Sequence, residues 1–233
     1  MAHKVVYIEP VGEITISKNR RSRKLRMTVR PNKQVVVTIP FYSSFRDAET
    51  FARNNTEWII KQQKKIDTVS EKYALGSKIQ TKYNTITITE ENGPLRAVKS
   101  GNRIEIFVTD VQEQPVRDFI REVMVRVYRI EALQYLPDRL NELARRFGFS
   151  YNRITVRNNR RNWGSCSSKN NISMNLQVMK LPDHLIDYIL LHELAHTIEK
   201  NHGPRFWKLL DQVTGNRAKE LSREVRRYSP HLP

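Results

Sequence analysis

The chain has 233 residues, and its 41 lysines and arginines against 24 aspartates and glutamates leave a formal net charge of +17 at pH 7. Hydrophobic residues make up 39% of the chain and charged residues 28%, a balance that excludes disorder as its overall state. Cys166 is the single cysteine, which excludes an intrachain disulfide and a cysteine-rich zinc cage.

The N-terminus and the charge bear on location and partners. The first nine residues lack the apolar stretch of a signal peptide, and no apolar run approaches the ~18 residues that a membrane span needs. We therefore expect a soluble cytoplasmic protein with no membrane partner. The positive charge favours association with nucleic acid or nucleotides, and a solvated surface that attracts polyanions non-specifically is the alternative.

The first 112 residues predict a small mixed region of helix and sheet. Residues 24–39 form two β-type runs around a turn-like Pro-Asn-Lys, which predicts a hairpin with one basic face. Ser44 begins a helix-start pattern, and the helix should run to about Lys65. Short β-branched runs between residues 77 and 108 predict a small meander.

The second half, residues 113–233, is predicted to be a separate domain with a soft boundary. Pro115 opens a long apolar helical stripe, which Pro137 should kink or split. The remaining predicted elements are a strand over 153–157, a strand over 172–178, a helix from Pro182 to about Lys200 and a helix after Gly203. The whole chain is therefore expected to have an α+β fold.

His192-Glu193-Leu194-Ala195-His196 matches the motif H-E-x-x-H. Residues four apart lie on one face of a helix, so both imidazoles can bind one metal ion, for which we predict Zn²⁺. Zinc lowers the pKa of a bound water toward ~7, and Glu193 is the predicted catalytic base that takes its proton. The motif could arise by chance on an exposed helix. Here it follows a strongly apolar segment, so its polar side chains need a compensating partner such as a metal.

A catalytic zinc site needs a third protein ligand and one open position. His202 is the favoured candidate, because a turn after the helix can bring it back to the metal. Glu199, on the same helical face as the two histidines, is the rival ligand. Weaker rivals are Asp211, Glu220 and Glu224.

These motifs together resemble a known family. The residues that carry the resemblance are Asn162-Trp163-Gly164-Ser165-Cys166-Ser167, Ile172 to Leu176, Ile186-Asp187-Tyr188, His192 to His196 and Asn201 to Trp207. They look like the YgjP-like metallopeptidase family, metal-dependent hydrolases distantly similar to the SprT-like zinc proteases. The resemblance implies a compact zincin-type domain (helix, β-hairpin, metal-binding helix, supporting helix) with His202 as third ligand. A pyrophosphohydrolase activity on nucleotides such as UTP has also been attached to the family.

Other side chains are candidates for substrate binding. In zincins the strand beside the metal helix commonly pairs with an extended peptide, and here residues 172–178 would do so, with Asn175 offering a polar group. An ordinary core strand is the alternative. Arginines that could bind a substrate carboxylate or phosphate are Arg157, Arg160, Arg161 and Arg205. A second basic cluster comprises Lys18, Arg20, Arg21, Arg23, Lys24 and Arg26.

These observations predict a zinc-dependent hydrolase, first of all a metallopeptidase that cleaves amide bonds. One alternative is a metal-dependent nucleoside triphosphate pyrophosphohydrolase acting on UTP. A further alternative is a nucleic-acid-binding protein with a vestigial metal site, although base-specific reading is not supported because no recognised motif accompanies the basic clusters.

Overall fold

A computed structural model describes residues 3–30, 32–159 and 161–230, without the side chains of residues 65–72. Helices and small sheets alternate along it, which confirms the α+β fold class. The chain divides into two compact units, Met1–Ala74 and Leu75–Leu232, so the predicted boundary at residue 112 falls inside the second unit. Across the described residues, no helix combines the length and apolar character that crossing a bilayer requires.

The first unit is built on a four-stranded sheet. Its strands are β1 (His3–Ile8), β2 (Gly12–Asn19), β3 (Arg26–Val29) and β4 (Val35–Pro40). Their order is β1-β2-β4-β3, with β2 and β4 parallel and the other neighbouring pairs antiparallel. The β3–β4 pair is the predicted hairpin.

Two helices, α1 (Phe45–Arg53) and α2 (Thr56–Lys72), follow where one was predicted. Ser44 caps α1 as expected, because its hydroxyl accepts the backbone N–H of Asp47 at 3.0 Å. The small side chains Ala48 and Ala52 are fully buried in one core with the apolar face of the sheet.

The second unit begins with a sheet of four strands: β5 (Lys78–Gln80), β6 (Thr85–Glu90), β7 (Arg96–Ser100) and β8 (Arg103–Val108). The order is β5-β6-β8-β7 with β6 and β8 parallel, so the predicted meander is wrong. The parallel pairing places the buried isoleucines Ile86, Ile88, Ile104 and Ile106 in the two central strands, which a meander order would not do.

Helix α3 (Gln114–Phe147) is continuous over 34 residues although Pro137 lies inside it. The predicted split is therefore wrong. Proline in a helix interior costs about 3 kcal/mol, whereas each fully buried leucine stabilises by about 1.5–3 kcal/mol. Leu136 and Leu140, which flank the proline, are both fully buried, so packing outweighs the local defect.

The buried carboxylate of Glu131 joins the β5–β6 turn to α3. It accepts hydrogen bonds from the Thr81 hydroxyl at 2.5 Å, the Asn84 amide at 2.7 Å and the backbone N–H groups of Lys82 and Tyr83. These contacts explain why the second unit includes the sheet that precedes α3.

The remaining elements surround the H-E-x-x-H motif. They are β9 (Arg153–Arg157), β10 (Gly164–Cys166), β11 (Asn171–Asn175), a 3₁₀ turn (Leu176–Lys180), α4 (Asp183–Ala195), α5 (Pro204–Val213) and α6 (Ala218–Val225). The strands form a sheet of order β10-β11-β9, antiparallel between β10 and β11 and parallel between β11 and β9. The strand predicted over 172–178 is therefore shorter, and neither β10 nor α6 was predicted.

Candidate metal centre

Two ion pairs hold helix α4 in place within the second unit. The guanidinium of Arg139, on α3, donates to both carboxylate oxygens of Asp187 at 2.7 and 2.5 Å. Lys82 donates to Asp183 at 2.6 Å, in the first turn of α4. The two contacts fix the helix that carries His192 and His196.

Helix α4 ends at Ala195, earlier than the predicted Lys200, and His196 is its C-terminal cap. The chain turns at once, with the backbone N–H of Glu199 donating to the Ala195 carbonyl at 2.9 Å. Asn201, the residue before His202, does not adopt the left-handed conformation in which many helices end. The turn after the motif is therefore made by residues 196–198, closer to the histidines than expected.

This turn brings His202 back onto the motif. Its Nε2 atom lies 3.0 Å from His192 Nε2 and 3.2 Å from His196 Nε2. Among the described residues, these three histidines are the group of side chains that could hold a metal ion. In a tetrahedral zinc site with metal–nitrogen distances of about 2.0–2.1 Å, ligand nitrogens lie about 3.3 Å apart. The spacing of the imidazoles therefore fits a metal ion.

Glu199 contacts the histidine cluster through its backbone carbonyl. Its carbonyl lies 2.9 Å from His196 Nδ1, so that nitrogen carries the proton and Nε2 keeps its lone pair for a metal. The carboxylates considered as rival ligands have other partners in the structure. Asp211 accepts the backbone N–H of Ala218, Glu220 pairs with Arg217 and Glu224 contacts His184.

One aromatic side chain supports all three histidines. The ring of Phe206, fully buried on α5, has centroid distances of 4.9 Å to His192, 4.4 Å to His196 and 4.7 Å to His202. The sequence analysis included Phe206 in the motif that carries the family resemblance but gave it no role of its own. Phe206 lies three residues after Gly203, the N-cap of α5, and this position brings its ring against His202.

Glu193 is 5% exposed, and its Oε2 atom has no hydrogen-bond partner among the described residues. Burial raises the pKa of this carboxyl to about 8. A buried carboxyl with an unused oxygen is costly unless a cation or a polar ligand compensates it. A metal held by the adjacent histidines would supply that compensation.

Burial, together with a smaller contribution from the positive charge that His196 and His202 carry when protonated, lowers the pKa of His192 to about 3. The pKa of His196 is lowered as well, chiefly by burial. Both imidazoles are therefore held neutral, which is the form that binds metals.

Strand β10 passes directly over Glu193. A Cβ atom on Gly164 would lie 2.7 Å from Glu193 Oε1 and 2.8 Å from its Cγ, so only glycine fits there. Gly164 belongs to the Trp-Gly-Ser-Cys stretch that carries the family resemblance, but its contact with Glu193 became apparent only in the structure.

The prediction that β11 pairs with a peptide is wrong, because β11 already has β10 and β9 on its two sides. The prediction that Asn175 binds substrate fails for a related reason. Asn175 is fully buried and donates to the carbonyls of Asn159 and Asn162 at 2.8 and 2.9 Å, while its oxygen accepts the N–H of Gln177. It shapes the loop that leads into β10.

The edge strand beside Glu193 is β10. Backbone hydrogen bonds join Trp163 to Asn175 and Ser167 to Asn171. Because backbone groups in an antiparallel pair alternate in direction, those of Gly164 and Cys166 point away from β11. Asn162 donates its side-chain amide to the Gly164 carbonyl at 3.0 Å. The backbone of Cys166 is thus the exposed part of this edge.

The candidate arginines that the structure describes lie in three different parts of the second unit. Arg157 ends β9, on the opposite edge of the sheet from β10. Arg161 is exposed in the loop before β10, and Arg205 is exposed in the first turn of α5. Arg160 lies outside the described residues.

An open groove of about 770 Å³ begins at His202 and runs along α5. Its lining residues are His202, Gly203, Pro204, Trp207, Lys208, Asp211, Gln212, Asn216 and Lys219. The groove gives the third histidine a direct opening to solvent.

The three histidines lie within a region that matches a known protein family. The sequence pattern of the YgjP-like metallopeptidase domain matches residues 23–228, which are most of the chain and include all three histidines. The chain belongs to the YgjP-like family. The resemblance inferred from the motifs is confirmed, and this YgjP-like chain is a hydrolase of a metallopeptidase family that implies a divalent metal.

Two solved structures are also similar to the chain. The crystal structure of the metallopeptidase zymogen of Pyrococcus abyssi abylysin is 28% identical, with a TM-score of 0.35, and the match covers 39% of this chain and 92% of that one. The zymogen of Methanocaldococcus jannaschii jannalysin is 26% identical, with a TM-score of 0.34, over 39% and 93%. No curated protein sequence matches the chain.

Proposed function

We propose that this protein is a zinc metallopeptidase in which His192, His196 and His202 bind the metal and Glu193 is the general base. One observation carries the proposal: three imidazole Nε2 atoms converge, and the residue that follows His192 has a buried carboxylate oxygen with no partner among the described residues. Three protein ligands and one open position are typical of catalytic zinc sites, whereas structural sites use four.

An all-imidazole donor set suits zinc, while magnesium prefers oxygen ligands. When bound, zinc supplies a Lewis acid for the substrate carbonyl and makes a water molecule a stronger acid. The Glu199 carbonyl and the Phe206 ring hold the imidazoles in the orientation that this requires.

Glu193 moves the proton. Its unused Oε2 takes a proton from the attacking water and gives it to the leaving amide nitrogen, which cannot depart as an anion. The low exposure of Glu193 keeps bulk water from competing for that oxygen. Gly164 leaves the space that the carboxylate occupies.

A peptide substrate fits two features around this centre. The outward backbone groups of Cys166 can pair with an extended chain, as in strand addition to a sheet edge. Beyond His202, the groove along α5 has Trp207 as an apolar surface and the exposed lysines Lys208 and Lys219 at its sides. The two lysines outnumber Asp211, the carboxylate that also lines this groove, so we infer a preference for an acidic substrate residue there.

The nucleotide alternative has less support. It required Arg157, Arg160 or Arg161 to place phosphates beside the metal, and Arg157 lies on the far edge of the sheet. The alternative of a vestigial site has less support, because the nitrogens of the three histidines lie close enough together to bind one metal ion.

The test measures cleavage of fluorogenic peptides by zinc-loaded protein, together with pyrophosphate release from UTP. We expect zinc-dependent peptide cleavage that a chelator abolishes and that Glu193→Gln lacks. Pyrophosphate release that requires Glu193, with no cleavage of any peptide in a broad library, would overturn the peptidase assignment.

A further inference from the structure

The first unit carries a surface that the proposed peptidase site does not use. We call it the basic–aromatic patch, and it consists of Lys18, Arg20, Arg21, Arg23, Lys24, Arg26, Phe41 and Tyr42. Five of the six cations are exposed, and Lys18 is half-buried. Residues 14–46 of the sequence include nine Lys or Arg and no Asp or Glu, so the positive field here is not locally neutralised.

Contacts within the patch bring Lys18 and Arg20 close to Phe41 and join Tyr42 to the backbone of Arg23. Lys18 donates to the Phe41 carbonyl at 3.0 Å, and the guanidinium carbon of Arg20 lies 5.2 Å from the Phe41 ring centroid. The hydroxyl of Tyr42 donates to the Arg23 carbonyl at 3.4 Å. The segment after β2 is thereby held against the segment that follows β4.

The two aromatic residues are consecutive and uncovered. Phe41 is 54% exposed and Tyr42 is 81% exposed, whereas Ile39 and Pro40 just before them are buried. Among the described residues, no carboxylate forms an ion pair with any of the six cations. The patch therefore offers two exposed aromatic rings close to a segment whose six cations have no anionic partner in the described part of the chain.

We propose that the basic–aromatic patch binds single-stranded nucleic acid. Exposed bases can stack on Phe41 and Tyr42 while Arg20 and Arg23 contact the phosphates, the combination that single-strand-binding surfaces use. A duplex hides its base faces within the stack, so it can use only the cations. An anionic membrane fits less well, because Ser43 and Ser44 follow the rings and supply no aliphatic wedge for insertion.

This inference does not depend on the proposed peptidase activity, and its test needs no metal. Fluorescence anisotropy would measure binding of the full-length protein to labelled dT20, rU20 and a 20-base-pair duplex over a range of salt concentrations. We expect both single strands to bind more tightly than the duplex. Tyr42→Ala should weaken single-strand binding about tenfold and leave the salt slope unchanged, while Tyr42→Phe should retain binding.

A double variant tests how much the arginines of the patch contribute to nucleic-acid binding. Arg20→Ala combined with Arg23→Ala should reduce the log–log salt slope by about 1.4, since each phosphate contact on a single strand contributes about 0.7. Arg103→Ala, an exposed cation on β8, and Trp58→Ala, an exposed aromatic on α2, are the matched controls and should leave affinity nearly unchanged. Thermal melting by circular dichroism checks that each variant is folded.

Three outcomes would overturn the inference. The first is duplex binding equal to single-strand binding with no effect of Tyr42→Ala. The second is equal weakening by Arg103→Ala, which would indicate attraction to any polyanion. The third is binding to phosphatidylglycerol vesicles without binding to either oligonucleotide, which would assign the patch to a membrane surface.

Discussion

Gly164 and Glu193 are in direct contact: a Cβ atom on Gly164 would lie 2.7 Å from Glu193 Oε1 and 2.9 Å from its Cδ. The neighbour that would have to move is a buried carboxylate between the edge strand and the metal helix. The glycine therefore belongs to the site, although it has no side chain to take part in chemistry.

Gly164→Ala should lower peptide cleavage at least tenfold while His192, His196 and His202 still bind zinc. The three atoms nearest to the added methyl group all belong to Glu193, so we expect it to displace the carboxylate rather than the imidazoles. Kinetic assays and zinc analysis on the same preparation would check this. Ser165→Ala, at the next and exposed position of β10, is the matched control and should retain activity. Full activity in Gly164→Ala would show that the carboxylate position is not critical.

His202→Ala should lose zinc, whereas Glu199→Ala should retain it. Removal of a ligand should cost more than the 10–100-fold in affinity that loss of a supporting partner costs. Glu199 acts through its carbonyl, which the alanine variant keeps. Competition with a chromogenic chelator would give both dissociation constants. The reverse result would move the third ligand to Glu199.

Phe206→Leu should weaken zinc binding by about 10–100-fold with a smaller loss of stability than Phe206→Ala, because leucine fills much of the volume but cannot contact all three rings equally. Zinc titration alongside urea unfolding separates the two effects. Unchanged zinc affinity in a folded Phe206→Leu protein would mean that the ring serves the core alone.

Glu193→Gln should keep zinc and the fold but lower kcat by about 10²–10⁴-fold, the usual contribution of a general base. The amide has nearly the same shape and cannot accept the proton from water. Steady-state kinetics with a fluorogenic peptide would measure this. Turnover within a few-fold of the parent would mean that another group is the base.

Glu131→Ala should lower the free energy of unfolding by at least about 1–3 kcal/mol, the cost of leaving a buried hydrogen-bond donor without its acceptor. It would leave Thr81, Asn84 and two backbone N–H groups without their shared acceptor. Urea denaturation would measure the loss, and Glu122→Ala, exposed on the same helix, is the control. A loss below about 1 kcal/mol would show that water replaces the carboxylate at little cost.

Local sequence patterns were sufficient for much of this protein. The H-E-x-x-H spacing predicted two histidines on one helical face, and the Ser44 pattern predicted a capped helix that the structure contains. Both depend on contacts between residues three or four apart, which helix geometry sets wherever the helix lies. The family resemblance was equally accessible, because it depends on motifs in the chain.

Contacts between distant segments could be decided only by the tertiary structure. Asn175 and β11 were assigned to substrate because alternation shows that a strand is half-buried but not which neighbours flank it. The sequence predicted that Pro137 would kink or split α3. The helix is continuous because burial of the neighbouring leucines outweighs the cost of the proline, and that burial exists only in the packed fold. The contact of Gly164 with Glu193 joins residues far apart in the chain, and the contacts of Phe206 with the three histidines depend on the turn before α5. No periodic pattern in the local sequence encodes such contacts.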